Sequence, residues 1–137
     1  VAFLTLGDVT VYSTYLSLER LVRQAGYDTE MVPGVSSFCA AAARLGVGLC
    51  EGAEALHVIP ASYEGTREAL DWPGAKVLMK TGRSIGRVKE QLRAHGLYEG
   101  AKMVRRCCME GEKVFASLDG ASDEDSYFSV IMARRED

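Results

Sequence analysis

The chain has 137 residues, of which 47% are hydrophobic, and it carries a formal net charge of −3. This size and composition predict about one domain's length of globular chain and exclude a disordered tail. No run approaches the roughly 18 consecutive apolar residues of a membrane span, and no charged segment precedes an apolar core and cleavage site as in a secretory signal, so we expect a cytoplasmic protein with no membrane partner.

The first stretch predicts a strand that ends in a tight turn. Residues 1–6 form the short apolar run of a buried parallel strand, and Gly7-Asp8 follow as a turn. A strand that leads through a glycine turn into a helix presents backbone N–H groups at the carboxyl edge of a sheet, where open α/β folds bind ligands. An ordinary strand–helix connection has the same pattern. Because the chain opens inside this strand without an initiator methionine, we expect a fragment or a processed chain.

A helix and a second strand come next. Residues 12–25 are apolar at spacings of three and four, which predicts an amphipathic helix that Ser13 or Thr14 can cap and Gly26 can close. The second strand is predicted at residues 29–32.

The second strand ends in a turn of the same design as the first. Residues 33–37 read Pro-Gly-Val-Ser-Ser, and an alanine-rich helix is predicted over residues 38–45. Small residues allow a ligand to approach the backbone where this helix starts. We therefore expect the turn at Gly7-Asp8 and the turn at residues 34–37 to lie side by side and form one cleft.

The second half of the chain predicts another α/β lobe, with a boundary at about residues 52–55. The predicted elements are, in chain order, a strand at 56–61, a helix at 63–70, a strand at 76–80, a helix at 84–95 that Gly96 ends, and strands at 101–106, 113–118 and 127–133. Three successive strands without a helical pattern predict an antiparallel edge on a mixed sheet.

The four cysteines, Cys39, Cys50, Cys107 and Cys108, have no CxxC spacing, and the chain has only two histidines. This predicts neither a zinc site nor a disulfide framework. Buried or incidental thiols are the interpretation that the pattern favours.

Three stretches together resemble one known family. They are residues 6–15 (LGDVTVYSTY), residues 32–41 (VPGVSSFCAA) and residues 77–84 (VLMKTGRS). They resemble the S-adenosylmethionine-dependent tetrapyrrole methylases, and within that family the precorrin-2 C20-methyltransferase branch. The Tyr-Ser-Thr-Tyr extension, the Ser-Ser-Phe-Cys loop and the Leu-Met-Lys strand end point to this branch rather than to the methylases of uroporphyrinogen or of positions C11 and C17.

The resemblance implies an α/β enzyme of two lobes with mixed sheets and a cofactor cleft between them. Residues 1–54 would be the later part of an incomplete N-terminal lobe, and residues 55–137 the C-terminal lobe. The implied reaction transfers a methyl group from S-adenosylmethionine to C20 of precorrin-2 or cobalt-precorrin-2 in cobalamin biosynthesis. The alternatives are a tetrapyrrole methylase that acts on another ring carbon and a non-catalytic nucleotide-binding α/β fragment. Family members pair as homodimers, and the helix at 12–25 is a candidate interface.

The resemblance also implies roles for individual residues. The cofactor-binding set is Leu6, Gly7, Asp8, Val11, Ser36, Ser37, Lys80 and Cys107, and the substrate-binding set is Tyr12, Ser13, Thr14 and Arg83. Asp8, Tyr12 and Glu51 are candidates for orienting the substrate or taking up a proton, with a turn or surface role as the alternative for each. No catalytic residue and no metal ligand is assigned. The family's usual Gly-Asp-Pro is Gly7-Asp8-Val9 here, which loses the fixed φ of proline.

The second half is rich in basic residues, which suits a substrate with many carboxylates. They are Arg83, Arg87, Lys89, Arg93, Lys102, Arg105 and Arg106. A solvated helix face is the favoured interpretation for Arg87, Lys89 and Arg93, and Arg83, beside a turn, is the candidate cleft residue. The acidic isoelectric point near 5.5, with no aromatic residues among the basic ones, disfavours nucleic-acid binding.

Overall fold

The computed structural model describes residues 1–63 and 65–135, which belong to two units, Val1–Cys39 and Ala40–Asp137. This division falls inside the second helix. The lobe boundary at residues 52–55 stays a prediction. Within the two described ranges, no helix combines the length and the apolar composition that a bilayer crossing requires.

The first unit contains one complete helix, α1, at Tyr15–Gln24. Thr14 is its N-cap, and the hydroxyl of Ser13 accepts a hydrogen bond from the Tyr15 N–H at 3.2 Å. Gly26 ends the helix in the left-handed conformation, with φ of 87°. The predicted helix and its closing glycine are confirmed, although α1 begins three residues later than predicted.

The two strands predicted at residues 1–6 and 29–32 do not form, so both predictions are wrong. A strand is stable only when its N–H and C=O groups pair with a neighbour. The five-stranded sheet of the structure draws all its strands from residues 56–133, and neither segment joins it. An apolar run shows that a segment can be buried, but it does not supply the partner strand.

Helix α1 leaves much of its apolar side exposed. Its one buried residue is Glu19, whose carboxylate accepts hydrogen bonds from the Thr29 hydroxyl at 2.7 Å and from Arg23 at 3.3 Å. Leu18 and Leu21 are 38% and 63% exposed. A polar contact, rather than apolar packing, therefore fixes this helix to the loop that follows it.

The second unit is built on a mixed sheet. Its strands are β1 Leu56–Pro60, β2 Ala75–Met79, β3 Lys102–Arg105, β4 Lys113–Phe115 and β5 Ser129–Ala133. Their order is β1-β2-β5-β3-β4; the β1–β2 pair is parallel and the other pairs are antiparallel. The predicted antiparallel edge on a mixed sheet is confirmed.

Three helices accompany the sheet, each close to its predicted position. They are α2 Ser37–Leu45, which spans the division between the units, α3 Thr66–Asp71 and α4 Ile85–Ala94. Two single 3₁₀ turns, Leu118–Gly120 and Asp123–Asp125, lead into β5. The first of them explains why β4 ends before residue 118, where the sequence predicts its end.

The core of the second unit joins α3, α4 and the sheet. Ile85, Val88 and Leu92 recur at spacings of three and four along α4 and are at most 2% exposed. They belong to one apolar cluster with Leu70 of α3 and Leu78 of β2. Each such side chain stabilises the fold by about 1.5–3 kcal/mol when it leaves water. The cluster therefore holds in place the ends of the strands that contribute to it.

Candidate functional site

The carboxylate of Asp8 joins the two glycine turns of the first unit. Its Oδ1 accepts hydrogen bonds from the Thr10 N–H at 2.8 Å and from the Thr10 hydroxyl, and its Oδ2 accepts one from the Gly34 N–H at 2.9 Å. These donors, the Thr10 hydroxyl first, lower the pKa of Asp8 below its ordinary value. The side chain is therefore ionised at neutral pH and holds the loop of residue 34 against the first turn.

The backbones of the two turns approach closely. Gly7 has φ of 78°, and a Cβ built on it would lie 3.7 Å from both the Val35 carbonyl oxygen and the Ser37 nitrogen. A Cβ on Gly34 would overlap the carbonyl oxygen of Gly7. The sequence prediction that these turns lie side by side is confirmed, and glycine is required where they meet.

The other predicted site residues of the first unit lie in the same two segments. Ser36 and Ser37 are half-buried where α2 begins, and Val11 is also half-buried. Tyr12 is 44% exposed and has a left-handed backbone, with φ of 51°. The remaining members are Leu6 and Thr14, both exposed, and Ser13, whose hydroxyl lies 3.3 Å from that of Thr5.

Lys80 and Cys107 follow strands that end at one edge of the sheet in the second unit. The pairing of β2 with β5 runs to Leu78 opposite Ile131, two residues before Lys80, and Arg105 of β3 pairs with Ser129 on the other side of β5. The Arg106 N–H then donates to the Phe128 carbonyl at 2.8 Å. The structure therefore brings the ends of β2 and β3 to either side of the start of β5.

The backbone at this edge is left-handed at three residues that are not glycine. Lys80, Arg106 and Phe128 have φ of 53°, 50° and 52°. Such conformations cost about 1–2 kcal/mol each for an L-residue, and they occur most often where a site needs a particular backbone orientation. The hydroxyl of Thr81 holds the edge together by donating to the Ser126 carbonyl at 2.9 Å.

A cluster of possible metal ligands was missed by the sequence prediction. The ligand atoms of Cys107, Cys108 and Glu112 lie within 4.8 Å of one another. Glu112 is already engaged, because it accepts hydrogen bonds from Arg44 at 2.5 Å and from the Cys108 N–H at 2.7 Å. Burial, with the neighbouring Cys108 thiol, raises the pKa of Cys107 to about 11, which keeps that thiol protonated and disfavours metal binding.

The thiols of the four cysteines are largely exposed. Cys39, Cys50 and Cys108 are exposed and Cys107 is half-buried, so the buried alternative is wrong, and the alternative that the thiols are incidental stays a prediction. Cys108 has a left-handed backbone, with φ of 60°, and this turn sets the two sulfur atoms 3.8 Å apart. A pair of adjacent cysteines with a glutamate four residues later gives no CxxC signal, which is why the cluster was not predicted.

Arg83 borders a cavity of about 500 Å³ in the second unit. The cavity lies where the parallel strands β1 and β2 end, and Arg67 and Arg87 also line it. Arg87 is exposed, in agreement with the predicted solvated helix face, but it faces this cavity as well. Arg67 was not predicted, since nothing in the sequence connects the start of α3 with the turn before α4.

Similarity to known proteins agrees with the resemblance found in the sequence. The profile of the tetrapyrrole (corrin/porphyrin) methylases matches residues 1–121. The cobalamin biosynthesis protein CobIJ of Mycobacterium tuberculosis is 38% identical over 136 residues, which are 96% of this chain and 26% of that protein. The cobalt-precorrin-2 C(20)-methyltransferase of Salmonella typhimurium is 33% identical over 140 residues, which are 99% of this chain and 59% of that protein.

The chain thus spans between about a quarter and three fifths of the length of these relatives. Another relative, the precorrin-2 C(20)-methyltransferase of Sinorhizobium sp, is 32% identical, and the match covers 96% of this chain and 54% of that protein.

Solved structures support the fold. The cobalt precorrin-4 methyltransferase CbiF matches with a TM-score of 0.76 at 21% identity, over 93% of this chain and 60% of that one. The uroporphyrin-III C-methyl transferase of Thermus thermophilus, complexed with S-adenosyl homocysteine, matches with a TM-score of 0.64 at 19% identity, over 93% of this chain and 62% of that one. At these identities the likeness concerns the fold alone, and it confirms the predicted α/β class. Since the family profile covers residues 1–121 of the 137, the chain belongs to the tetrapyrrole methylases.

Proposed function

We propose that this chain is part of an S-adenosylmethionine-dependent methyltransferase of cobalamin biosynthesis that methylates C20 of precorrin-2 or cobalt-precorrin-2. Two relatives that are 32% and 33% identical carry C(20)-methyltransferase names. Each matches at least 96% of this chain, so the similarity includes both glycine turns and the strand ends of the second unit.

The observation that carries the proposal is the contact between the turn at Gly7-Asp8 and the turn at residues 34–37. An ionised carboxylate, a close glycine backbone and the hydroxyls of Ser36 and Ser37 occur together there. This set fits a ligand with a cationic sulfonium, an ammonium and ribose hydroxyls, because each of those groups finds a charge or a hydrogen-bonding partner of the right kind. Leu6 and Val11 supply the adjacent apolar contacts.

The remaining predicted residues lie in both units, and we assign them the other contacts of the site. Lys80 and Cys107 follow strands at one edge of the sheet, and we assign them backbone contacts with the adenosine. We assign tetrapyrrole contacts to Tyr12, Ser13, Thr14 and Arg83. The hydroxyl of Ser13 already accepts the Tyr15 N–H, so its contact would have to be shared.

The chemistry requires alignment more than proton transfer. S-adenosylmethionine, when bound, supplies a methyl group bonded to a sulfonium sulfur. When the methyl group is transferred, the sulfur leaves as a neutral thioether and needs no proton. The nucleophilic tetrapyrrole carbon needs to lie in line with that bond, and fixed geometry of this kind contributes much of the rate of such a reaction. Asp8 and the turns it joins would provide the fixed geometry on the donor side. We assign no general base.

A second candidate is methylation of another ring carbon. The relative at 38% identity is named CobIJ rather than a C(20)-methyltransferase, and the solved structures carry the names of enzymes for several different tetrapyrroles. Incubating the protein with precorrin-2 and methyl-labelled S-adenosylmethionine separates the candidates. A label at C20 supports the first, a label at another carbon supports the second, and an unlabelled tetrapyrrole contradicts both.

The cofactor half of the proposal has a simpler test, which is calorimetric titration of the chain with S-adenosylhomocysteine. We expect micromolar binding that Asp8→Ala abolishes, because the variant loses all three hydrogen bonds of the carboxylate. Asp119→Ala is the matched control, since that exposed aspartate belongs to the second unit and makes contacts with Tyr98 and Ser117 instead. Equal loss in both variants, or no binding by the folded parent chain, would contradict the cofactor site.

Homodimer formation through α1 is part of the proposal. The exposed Leu18 and Leu21 support it, because they form an apolar surface on one helix. The cytoplasmic location stays a prediction.

A further inference from the structure

The cavity at the ends of β1 and β2 is a candidate binding site in its own right. Two strand-end segments, 61–63 and 81–84, form much of its wall, and a Cβ on Gly82 would lie 3.5 Å from the Cβ of Ser62. Ligands of open α/β sheets bind beyond the carboxyl ends of parallel strands. The volume of about 500 Å³ falls within the usual range of small-molecule sites.

Three arginines line this cavity. Arg67 comes from the start of α3, Arg83 from the turn before α4 and Arg87 from the first turn of α4. In residues 1–63 and 65–135, no carboxylate forms an ion pair with any of them, whereas Arg23, Arg44, Arg105 and Arg134 all have carboxylate partners. Like charges gathered around one space repel each other, and an anion placed there would relieve the repulsion.

The N-terminus of α4 does not supply this positive charge. The N–H groups of Ile85 and Gly86 already donate to Asp123 Oδ1, at 2.8 and 3.3 Å. The arginines are therefore the anion-binding groups of the cavity. Guanidinium groups bind carboxylates through two parallel hydrogen bonds, which makes them selective for that planar group.

A buried polar atom gives independent support. Gln91 lines this cavity and a neighbouring one of about 330 Å³, and its side-chain oxygen is buried without a hydrogen-bond partner among the described residues. Such an atom costs free energy unless a ligand or a water pairs with it. Since the amide can rotate, Gln91 can offer either a donor or an acceptor to a polar group in the cavity.

We propose that the cavity lined by Arg67, Arg83 and Arg87 binds carboxylate side chains of the tetrapyrrole substrate and thereby fixes which ring edge enters first. This inference rests on the proposed function for the identity of the substrate. It extends the single contact assigned to Arg83 to a site of three arginines within the second unit. The cavity holds the carboxylate arms, and the flat macrocycle stays outside it.

The test is fluorescence titration of the chain with uroporphyrin I, a stable tetrapyrrole with eight carboxylates. We expect Arg67→Gln, Arg83→Gln and Arg87→Gln each to weaken binding about tenfold, as for loss of one charge-assisted contact. Arg83→Lys should recover part of the loss. Arg135→Gln is the matched control, because it removes the same charge from a second cavity, of about 390 Å³, that lies elsewhere in the second unit; its affinity should match that of the parent.

Three results would overturn the proposal. They are an equal loss in Arg135→Gln, equally tight binding of uroporphyrin I octamethyl ester, and displacement of uroporphyrin by millimolar inorganic phosphate, which would indicate an unselective anion site. Titration of the same proteins with S-adenosylhomocysteine separates this inference from the proposed function. No binding of S-adenosylhomocysteine by the folded parent chain would contradict the cofactor site of the proposed function, while arginine-dependent binding of uroporphyrin would still support the carboxylate site.

Discussion

Each of the two units of the chain is stabilised internally by a different kind of interaction. In residues 1–39 the buried residues are Val9 and Glu19, and the turns are joined by hydrogen bonds of Asp8. In the described residues from 40 onward, helices and a five-stranded sheet enclose an apolar cluster whose central side chains are fully buried. The proposed cofactor turns therefore depend on polar contacts, whereas the strand ends of the second unit depend on a packed core.

The largest expected difference between the units concerns truncated leucines. Leu78→Ala should lower the free energy of unfolding by about 3 kcal/mol, since Leu78 is fully buried and its removal leaves a cavity. Leu21→Ala should change it by less than about 0.5 kcal/mol, because Leu21 is 63% exposed. Urea unfolding followed by far-UV circular dichroism, which detects α1, measures Leu21→Ala, and unfolding followed by the fluorescence of Trp72, the single tryptophan, measures Leu78→Ala in the second unit. Similar losses in the two variants would contradict the difference in packing.

Gly34 in the first unit and Gly74 in the second are a matched pair of glycines. A Cβ on Gly34 would overlap the Gly7 carbonyl oxygen in the first unit, and a Cβ on Gly74 would overlap that of Ala55 in the second. Gly74→Ala should destabilise the second unit by about 2 kcal/mol, also because its φ is 108°. Gly34→Ala should leave the Trp72 transition unchanged and abolish S-adenosylhomocysteine binding. A shifted Trp72 transition in Gly34→Ala would show that the two units unfold as one.

A pH-dependent effect of comparable size should belong to the second unit. Burial alone would raise the pKa of Asp125, but hydrogen bonds from Ser122 and Lys113 outweigh it and hold the pKa at about 2. A depressed carboxylate pKa stabilises the fold above the unfolded value of 3.8, and this stabilisation, about 2 kcal/mol, is lost as the pH falls from about 4 to 2.

Urea unfolding at several pH values tests this linkage. Asp125→Asn cannot titrate, so its stability should fall less over the same interval than that of the parent chain. Parallel pH curves for the two proteins would mean that other carboxylates account for the acid sensitivity.

The sequence predicts local structure better than it predicts which strands pair. Helix α4 was predictable because Ile85, Val88 and Leu92 mark one face and Ser84 caps the start, accepting the Arg87 N–H at 3.4 Å. The strands at residues 1–6 and 29–32 failed because pairing depends on distant chain, which an apolar run does not reveal.

The site shows the same limit. Two glycine turns of similar composition were enough to predict that they lie together, but the hydrogen bond from the Gly34 N–H to Asp8 depends on the three-dimensional path between them. Of the arginines that line the cavity, the sequence predicts only Arg83 as a cleft residue. Arg67 reaches the cavity only because β1 and α3 fold as they do. Contacts between segments separated by a strand or a helix have no local sequence signal.

The left-handed residues at the edge of the sheet bear on how this protein would respond to selection. Glycine adopts the backbone of Lys80, Arg106 and Phe128 without strain. Selection for heat resistance alone would favour glycine at these three positions. Under the proposed function, selection for turnover would retain the larger residues, because glycine would loosen the backbone to which we assign the adenosine contacts. Thermostable variants of this protein should therefore be sought among core and surface substitutions, with these positions held constant.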